Sequence, residues 1–237
     1  MLYTRETVKD NLRNREGKRV FYLAPGDKLT PGAREYLADH GVQILGADQA
    51  KPEEYRLLGG GYLREKPEYM THLNGDLLVP KTHPRIAFRG AMDALQAEII
   101  LCQLNVSEKV ARSLGEVLEL SRQIIACEVL NQPLPQGELL GMTPEELRSR
   151  SHRPQDYYGQ PHFMPQAADG MAVACLNRCR CAARGAELAF CRAFVTDEGC
   201  SRTDLLQALN RMSSGIYLLM IEEKAKNKKT GMIETNR

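Results

Sequence analysis

Three tracts of this 237-residue chain carry side chains whose types and spacing could do chemistry. The first is THLNGDLLVPKTHPRIAFRGAMDAL, residues 71–95. It holds Thr71, Lys81, the Pro84-Arg85 pair, Gly90 and Asp93, and it leads into a helical apolar run. The second, LNRCRCAARGAELAF from Leu176, places Arg180, Arg184 and Glu187 at i, i+4 and i+7, so one helix face carries all three. Two arginines a turn apart can grip phosphate oxygens through planar, charge-assisted forks. The third, LLQALNRMSSGIYLLM from Leu205, sets Asn210, Arg211, Ser213 and Ser214 along an otherwise apolar helix. A buried amide there needs partners, so it is either a structural hydrogen-bonder or a ligand contact. Each tract also has a plain reading. A solvated Arg–Glu face stabilises little, and an acid in the first turn of a helix, as Asp93 is read here, suits the macrodipole without any further role. Together, an acid opening one helix and paired arginines on another point to a polar site between bundle helices.

Those residues must be positioned by helices, and the rest of the chain supplies them. Apolar residues recur at helical spacing from about Ala91 to Leu104 and from Glu108 to Leu130. Thr143-Pro144 is an N-cap followed by proline at the first helical position, opening a short helix to Ser149. Residues 151–168 are an aromatic-rich loop. Two long helices close the chain, about Gly170 to Phe194 and Thr203 to Glu223, before a polar tail that begins at Lys224. Nearer the start, residues 1–17 read as a short polar helix or arm. Arg19–Leu23 and Val42–Leu45 read as strands flanking a helix that Thr30-Pro31 opens and Gly41 ends. Residues 46–66 read as loop, with Gly59-Gly60-Gly61 as a hinge or linker. The predicted fold class is mainly α: a helical bundle of four to five helices with a small N-terminal α/β subdomain. The predicted domains are 1–62, a strand–helix–strand subdomain; 63–226, the bundle; and 227–237, a polar tail.

Composition excludes several classes. Lys+Arg is 32 and Asp+Glu 30, so no global charge draws nucleic acid. No apolar run reaches membrane-spanning length, and the N-terminus lacks the apolar core of a signal peptide, which predicts a cytoplasmic protein. Seven cysteines, an odd number, read as reduced thiols. Cys175, Cys179 and Cys181 are close but lack zinc spacing, so no metal site is expected. There is no phosphate-binding P-loop and no dinucleotide glycine fingerprint.

Taken in order, the tracts resemble the ATP:corrinoid adenosyltransferases of the PduO-like cobalamin adenosyltransferase superfamily, and within it the branch from ethanolamine utilisation. That superfamily's first motif has the form T-S-L-x-x-G-x-R-V-x-K-D-D-P-R-V-E-x-x-G-x-x-D-E-L. Thr71, Leu73, Val79, Lys81, Pro84, Arg85, Gly90, Asp93 and Leu95 fall on it without a gap. A later motif, R-x-x-x-R-x-x-E, is matched by Arg180, Arg184 and Glu187, and a third by Leu209, Asn210, Arg211, Met212 and Ser213. LTPGAREYL, KPEYMTHLNGDLLVPK and Ser151-His152-x-Pro154 resemble the ethanolamine branch.

The resemblance implies transfer of the 5′-deoxyadenosyl group of ATP to the cobalt of reduced cobalamin, giving adenosylcobalamin and triphosphate. It implies a catalytic set of Asp93, Arg180 and Phe163, with Asp93 pairing to Arg180 across two helices and Phe163 displacing the lower axial base of the corrinoid. Lys81, Arg184, Glu187, Asn210 and Thr71 would hold ATP, with Mg2+ as an accompanying ion. The implied partners are a flavin-dependent reductase and ethanolamine ammonia-lyase. A homo-oligomer (dimer or trimer) and a bacterial microcompartment setting are implied as well. Three departures stand out. KPEYM replaces the superfamily's glycine-rich T-G-D-x-G-x-T segment; residues 45–70 hold no His or Cys of the branch's upstream metal motif; and Ser214 replaces an acid. The missing glycine segment keeps open a second reading, a corrinoid- or nucleotide-binding carrier, sensor or microcompartment component without catalysis.

Overall fold

The structure is a computed structural model that describes residues 2–15, 18–46 and 55–234. The chain falls into two compact units, Met1–Lys81 and Thr82–Arg237.

The first unit is built on short strands. β1 (Leu2–Tyr3), α1 (Arg5–Asp10), β2 (Arg13–Arg15), β3 (Lys18–Leu23), β4 (Lys28–Leu29), α2 (Pro31–Asp39) and β5 (Gln43–Gly46) follow in order. β3 and β5 pair in parallel, Val20 opposite Gln43, with α2 as the crossover. Thr30 caps α2 as its Oγ1 accepts from Ala33 N at 3.3 Å, with Pro31 at the first turn. Val8, Phe21, Leu29, Ala33, Leu37 and Val42 form the small core beneath. A four-stranded sheet follows, made of β6 (Tyr55–Leu57), β7 (Tyr62–Leu63), β8 (Met70–Asn74) and β9 (Leu77–Pro80), in spatial order β7-β6-β9-β8. Gly59-Gly60-Gly61, expected as a linker, instead makes the β6–β7 turn. Leu57 N donates to Gly61 O at 3.0 Å, and Gly60 and Gly61 hold φ of +93° and +91°, which only glycine adopts at low cost.

The second unit is a four-helix bundle. α3 (Pro84–Gln103), α4 (Glu108–Leu130), α7 (Met171–Phe194) and α8 (Thr203–Glu234) form its ring, with α7 packed between α3 and α8, and α4 closing against both. α5 (Pro144–His152) and α6 (Pro154–Tyr158) lie on α8. α3 buries Phe88, Met92, Leu95, Ile99 and Cys102, an alternating three–four spacing that keeps one stripe inward. α7 answers with Leu176, Cys179, Ala183, Ala186 and Phe190. Its middle is small, so its neighbours approach closely there. β10 (Val195–Thr196) and β11 (Gly199–Cys200) form a tight antiparallel hairpin joining α7 to α8.

Two boundaries differ from the sequence expectation. α3 begins at Pro84 because His83 caps it, its Nδ1 accepting from Arg85 N at 3.2 Å. Asp93 therefore sits mid-helix, and its macrodipole reading falls. α8 continues past Lys224 to Glu234 where a polar tail was expected. Among the described residues no helix is long and apolar enough to cross a membrane.

Candidate active site on the α7–α8 face

α7 and α8 run antiparallel, and their polar residues meet in register. At one level, Asn210 Nδ2 donates to Glu187 Oε1 at 3.1 Å. Seven residues along each helix, the Arg180 guanidinium lies 5.9 Å from the centre of the Tyr217 ring. A rise of 1.5 Å per residue separates the two levels by about 10 Å. Arg184 lies between them on α7, exposed and without a hydrogen bond or ion pair to any described residue. The face thus holds one anchored carboxylate–amide pair, one guanidinium on an aromatic ring and one guanidinium open to solvent. Such a row suits a long polyanion with an attached ring system.

Arg180 is held on its own helix as well: its Nε and Nη2 donate to Asn177 Oδ1 at 3.4 and 3.3 Å. The expected Asp93–Arg180 pair is not made. Asp93 is exposed on α3 and has no partner among the described residues. Arg180 is instead engaged by Asn177 on its own helix and by the Tyr217 ring on α8, while Asp93 stands in solvent. Phe163 is half-buried in the α6–α7 connection, stacked on Tyr217 with centroids 6.3 Å apart and 4.0 Å from Lys224 Nζ. The bundle thereby brings Arg180, Phe163 and, through Tyr217, the Glu187–Asn210 level onto one side of α8.

Thr71 and Lys81 belong to the first unit. Thr71 lies in β8 opposite Val79. Lys81 follows β9, its N–H donating to Tyr69 O at 2.9 Å and its Nζ paired with exposed Glu68 at 3.0 Å.

Other charged groups shape the bundle. Glu128 is fully buried and accepts from Arg85 Nε and from Arg89 Nε at 2.7 Å, while Arg85 also reaches the Glu128 carbonyl at 3.1 Å. Burial and those two guanidiniums hold the His83 imidazole below its ordinary pKa, so it caps α3 as a neutral acceptor. The Cys179 thiol is pushed up by its Cys102 neighbour and by burial, and it donates to Glu98 O at 3.2 Å. All seven cysteines are free, and no group of three or more metal-ligating side chains occurs among the described residues. Tyr217, Lys224 and Glu128 give no sequence signal. Each acquires its place through contacts from another helix or loop.

A family model described as cobalamin adenosyltransferase matches residues 61–223. The corrinoid adenosyltransferase EutT of Salmonella typhimurium is 29% identical over 236 residues, spanning 90% of this chain and 88% of that protein. The corrinoid adenosyltransferase EutT of Escherichia coli K12 is 29% identical over 230 residues, spanning 87% and 86%. Among solved structures, a single-residue variant of a PduO-type ATP:corrinoid adenosyltransferase from Lactobacillus reuteri, complexed with cobalamin and ATP, aligns with a TM-score of 0.47. It is 14% identical, and the alignment covers 76% of this chain and 94% of that one.

Proposed function

The chain belongs to the cobalamin adenosyltransferase family, and from that premise we propose that it transfers the 5′-deoxyadenosyl group of ATP to the cobalt of a reduced corrinoid. The observation that carries this reading is the α7–α8 face, where Arg180, Arg184 and the Glu187–Asn210 pair form a row beside Phe163. ATP lies along that row, with Arg184 and Arg180 toward the phosphates and Glu187 and Asn210 fixing the nucleoside. Thr71 and Lys81 are the further ATP-binding residues of this reading. Mg2+ would accompany the triphosphate and offset its charge; Glu187, through the carboxylate oxygen not bonded to Asn210, is the side chain on this face that would reach it.

The corrinoid is a substrate. Its Co(II) form resists reduction while the lower axial base donates to the metal. Phe163 displaces that base and offers no donor in its place, which brings the Co(I) state within reach of a one-electron reductant. Co(I) then attacks C5′ of ATP. A Co–C bond forms, the C5′–O bond breaks, and its electron pair leaves with triphosphate. Cations aimed at that growing charge stabilise the transition state, and alignment of cobalt, carbon and leaving oxygen supplies much of the rest. No proton moves in the step, so the site requires no general base.

The product serves a B12-dependent ammonia-lyase acting on ethanolamine. A flavin-dependent reductase supplies electrons, and the working form is a homo-oligomer, in the cytoplasm or a bacterial microcompartment. The test is the visible spectrum of cob(II)alamin with the protein, with and without ATP. A band of four-coordinate Co(II) that appears only with ATP, followed by a light-sensitive Co–C product on reduction, is the expected result. An unchanged spectrum and no product would refute it. KPEYM in place of the glycine-rich segment favours the second reading, a binding protein without chemistry. ATP binding by calorimetry without product formation would support that reading.

A further inference from the structure

The loop that carries Phe163 is fastened to α8 at two points, one of which buries a charge. It runs between two glycines in the left-handed region, Gly159 (φ +62°) and Gly170 (φ +88°). The first point is Lys224. Its side chain is only 16% exposed, and its Nζ lies 4.0 Å from the Phe163 ring centre and 2.9 Å from Asp169 Oδ1. Asp169, itself 13% exposed, belongs to the same loop and also accepts from Gln166 N at 2.9 Å. The second point is Tyr217, two helical turns before Lys224 on α8. Its ring stacks on His162 (5.7 Å, 12°) and Phe163 (6.3 Å, 25°), and its hydroxyl meets His162 Nδ1 at 2.9 Å. His162 Nε2 lies 3.2 Å from the His152 carbonyl, which can only accept. With Nε2 carrying the proton, a neutral imidazole accepts from the Tyr217 hydroxyl at Nδ1.

A largely buried ion pair is a poor source of stability, because apolar side chains of equal volume serve as well. What it does fix is position: an ammonium with one good carboxylate and one ring face has few alternative seats. Tyr217 adds a second restraint, and the same ring receives Arg180 from the nucleotide face. Phe163 and the first arginine of the phosphate row thus share one neighbour.

We propose that Tyr217 and Lys224 are positioning residues for Phe163, and that Tyr217 links occupancy of the arginine row to the placement of that ring. The proposal rests on the reading of Phe163 as the group that displaces the axial base. A triphosphate that draws on Arg180 changes the cation over Tyr217, and the ring passes the change to the loop stacked on it. Lys224 keeps the loop from leaving α8 meanwhile.

The experiment compares Phe163→Ala, Tyr217→Leu, Tyr217→Phe and Lys224→Met in the full chain, each first checked for folding by circular dichroism. Two quantities are read: the four-coordinate Co(II) band with ATP, and the rates from cob(II)alamin with reductant and from pre-reduced cob(I)alamin. Ring stacking and cation–π contacts of this kind correspond to about two- to tenfold in an equilibrium. Tyr217→Leu and Lys224→Met should lower the band and the cob(II)alamin rate by about that factor; Lys224→Met should leave the cob(I)alamin rate within about twofold, and Tyr217→Leu, which also takes the ring from under Arg180, should lower it by less than the cob(II)alamin rate. Tyr217→Phe keeps the ring and should retain most of both. It also serves as the working variant if Tyr217→Leu does not fold, since a further His162→Leu in that background should then produce the loss. A selective Phe163→Ala beside unselective Tyr217→Leu and Lys224→Met would overturn the proposal alone. Equal losses on both routes for Phe163→Ala would overturn the axial-base reading and the proposal with it.

Discussion

Replacement of Arg184 by alanine separates binding from folding better than any other change on the α7–α8 face. The side chain is exposed and touches no partner among the described residues, so its loss should alter stability by no more than about 0.5 kcal/mol. Alanine is an equally good helix former, which keeps α7 intact. If Arg184 grips a phosphate, the variant loses one or two charge-assisted hydrogen bonds of about 1.5–3 kcal/mol each. That corresponds to a fall of about 10- to 100-fold or more in kcat/KM for ATP. The assay is steady-state adenosylation with saturating pre-reduced cob(I)alamin and varied ATP, beside a thermal melt. Arg184→Lys keeps the charge but not the planar fork, and should fall between wild type and alanine. A kcat/KM for ATP unchanged within about twofold would remove Arg184 from the binding row. A melting temperature lowered by several degrees would refute the inference that it stands free. Arg180 cannot serve in this way, since Asn177 and Tyr217 both use it.

Three further outcomes are expected. Glu128→Ala leaves Arg85 and Arg89 around an empty buried site and should cost about 3–5 kcal/mol, or about 6–20 °C by thermal melting for a unit of this size; a fall under about 3 °C would show that the arginines find other partners. The fork from Arg202 holds the Asp204 carboxyl well below the usual carboxylate range. Its stabilisation is therefore present above about pH 4 and lost as the pH falls toward the depressed folded value, so Asp204→Asn should cost about 1 kcal/mol at neutral pH and little in strong acid, read from urea midpoints across pH. A Cβ at Gly215 would meet Leu140 Cδ1 at 3.2 Å and Leu139 Cδ2 at 3.4 Å. Gly215→Ala should be near neutral, as helix propensity offsets crowding, whereas Gly215→Val should lose about 1–3 kcal/mol in chemical denaturation.

What is legible in the sequence follows the range of the forces involved. Local signals suffice for Thr30-Pro31 and Thr143-Pro144, since a cap is a contact between near neighbours; Thr143 and Glu146 close a full capping box. The start and end of α7 are equally readable, because Gly170 and the period of Leu176, Cys179, Ala183 and Ala186 lie within one segment. The helical row Arg180-Arg184-Glu187 needs only the pitch of a helix. The start of α3 escapes such a reading because its cap is a histidine, an uncommon choice, and because Pro84-Arg85 draws the eye as part of a motif. The β8–β9 hairpin escapes for the same reason: Asn74-Gly75-Asp76 is a turn signal inside a tract read for its chemistry. Tyr217 and Lys224 have no local signal. Their roles depend on a loop more than fifty residues earlier, and no single-segment pattern encodes such a pairing.

The small hairpin after α7 has a bearing on how this protein can be altered. Val195 pairs with Cys200 and Thr196 with Gly199, leaving two residues at the tip. With so short a connection, the hairpin acts as a gauge block between the two helices. It decides which residue of α8 stands across from each residue of α7. An insertion of one residue in the first turn of α8, just after this hairpin, would rotate the rest of that helix by about 100° relative to its present seating, and removing one would do the reverse. Asn210 would leave Glu187 and Tyr217 would leave Arg180 together, although neither end of the site had been touched. Chimeras that graft α8 from a relative should therefore carry the tip with it, and length changes are best tolerated elsewhere, in the exposed residues 135–138 between buried Leu134 and Leu139.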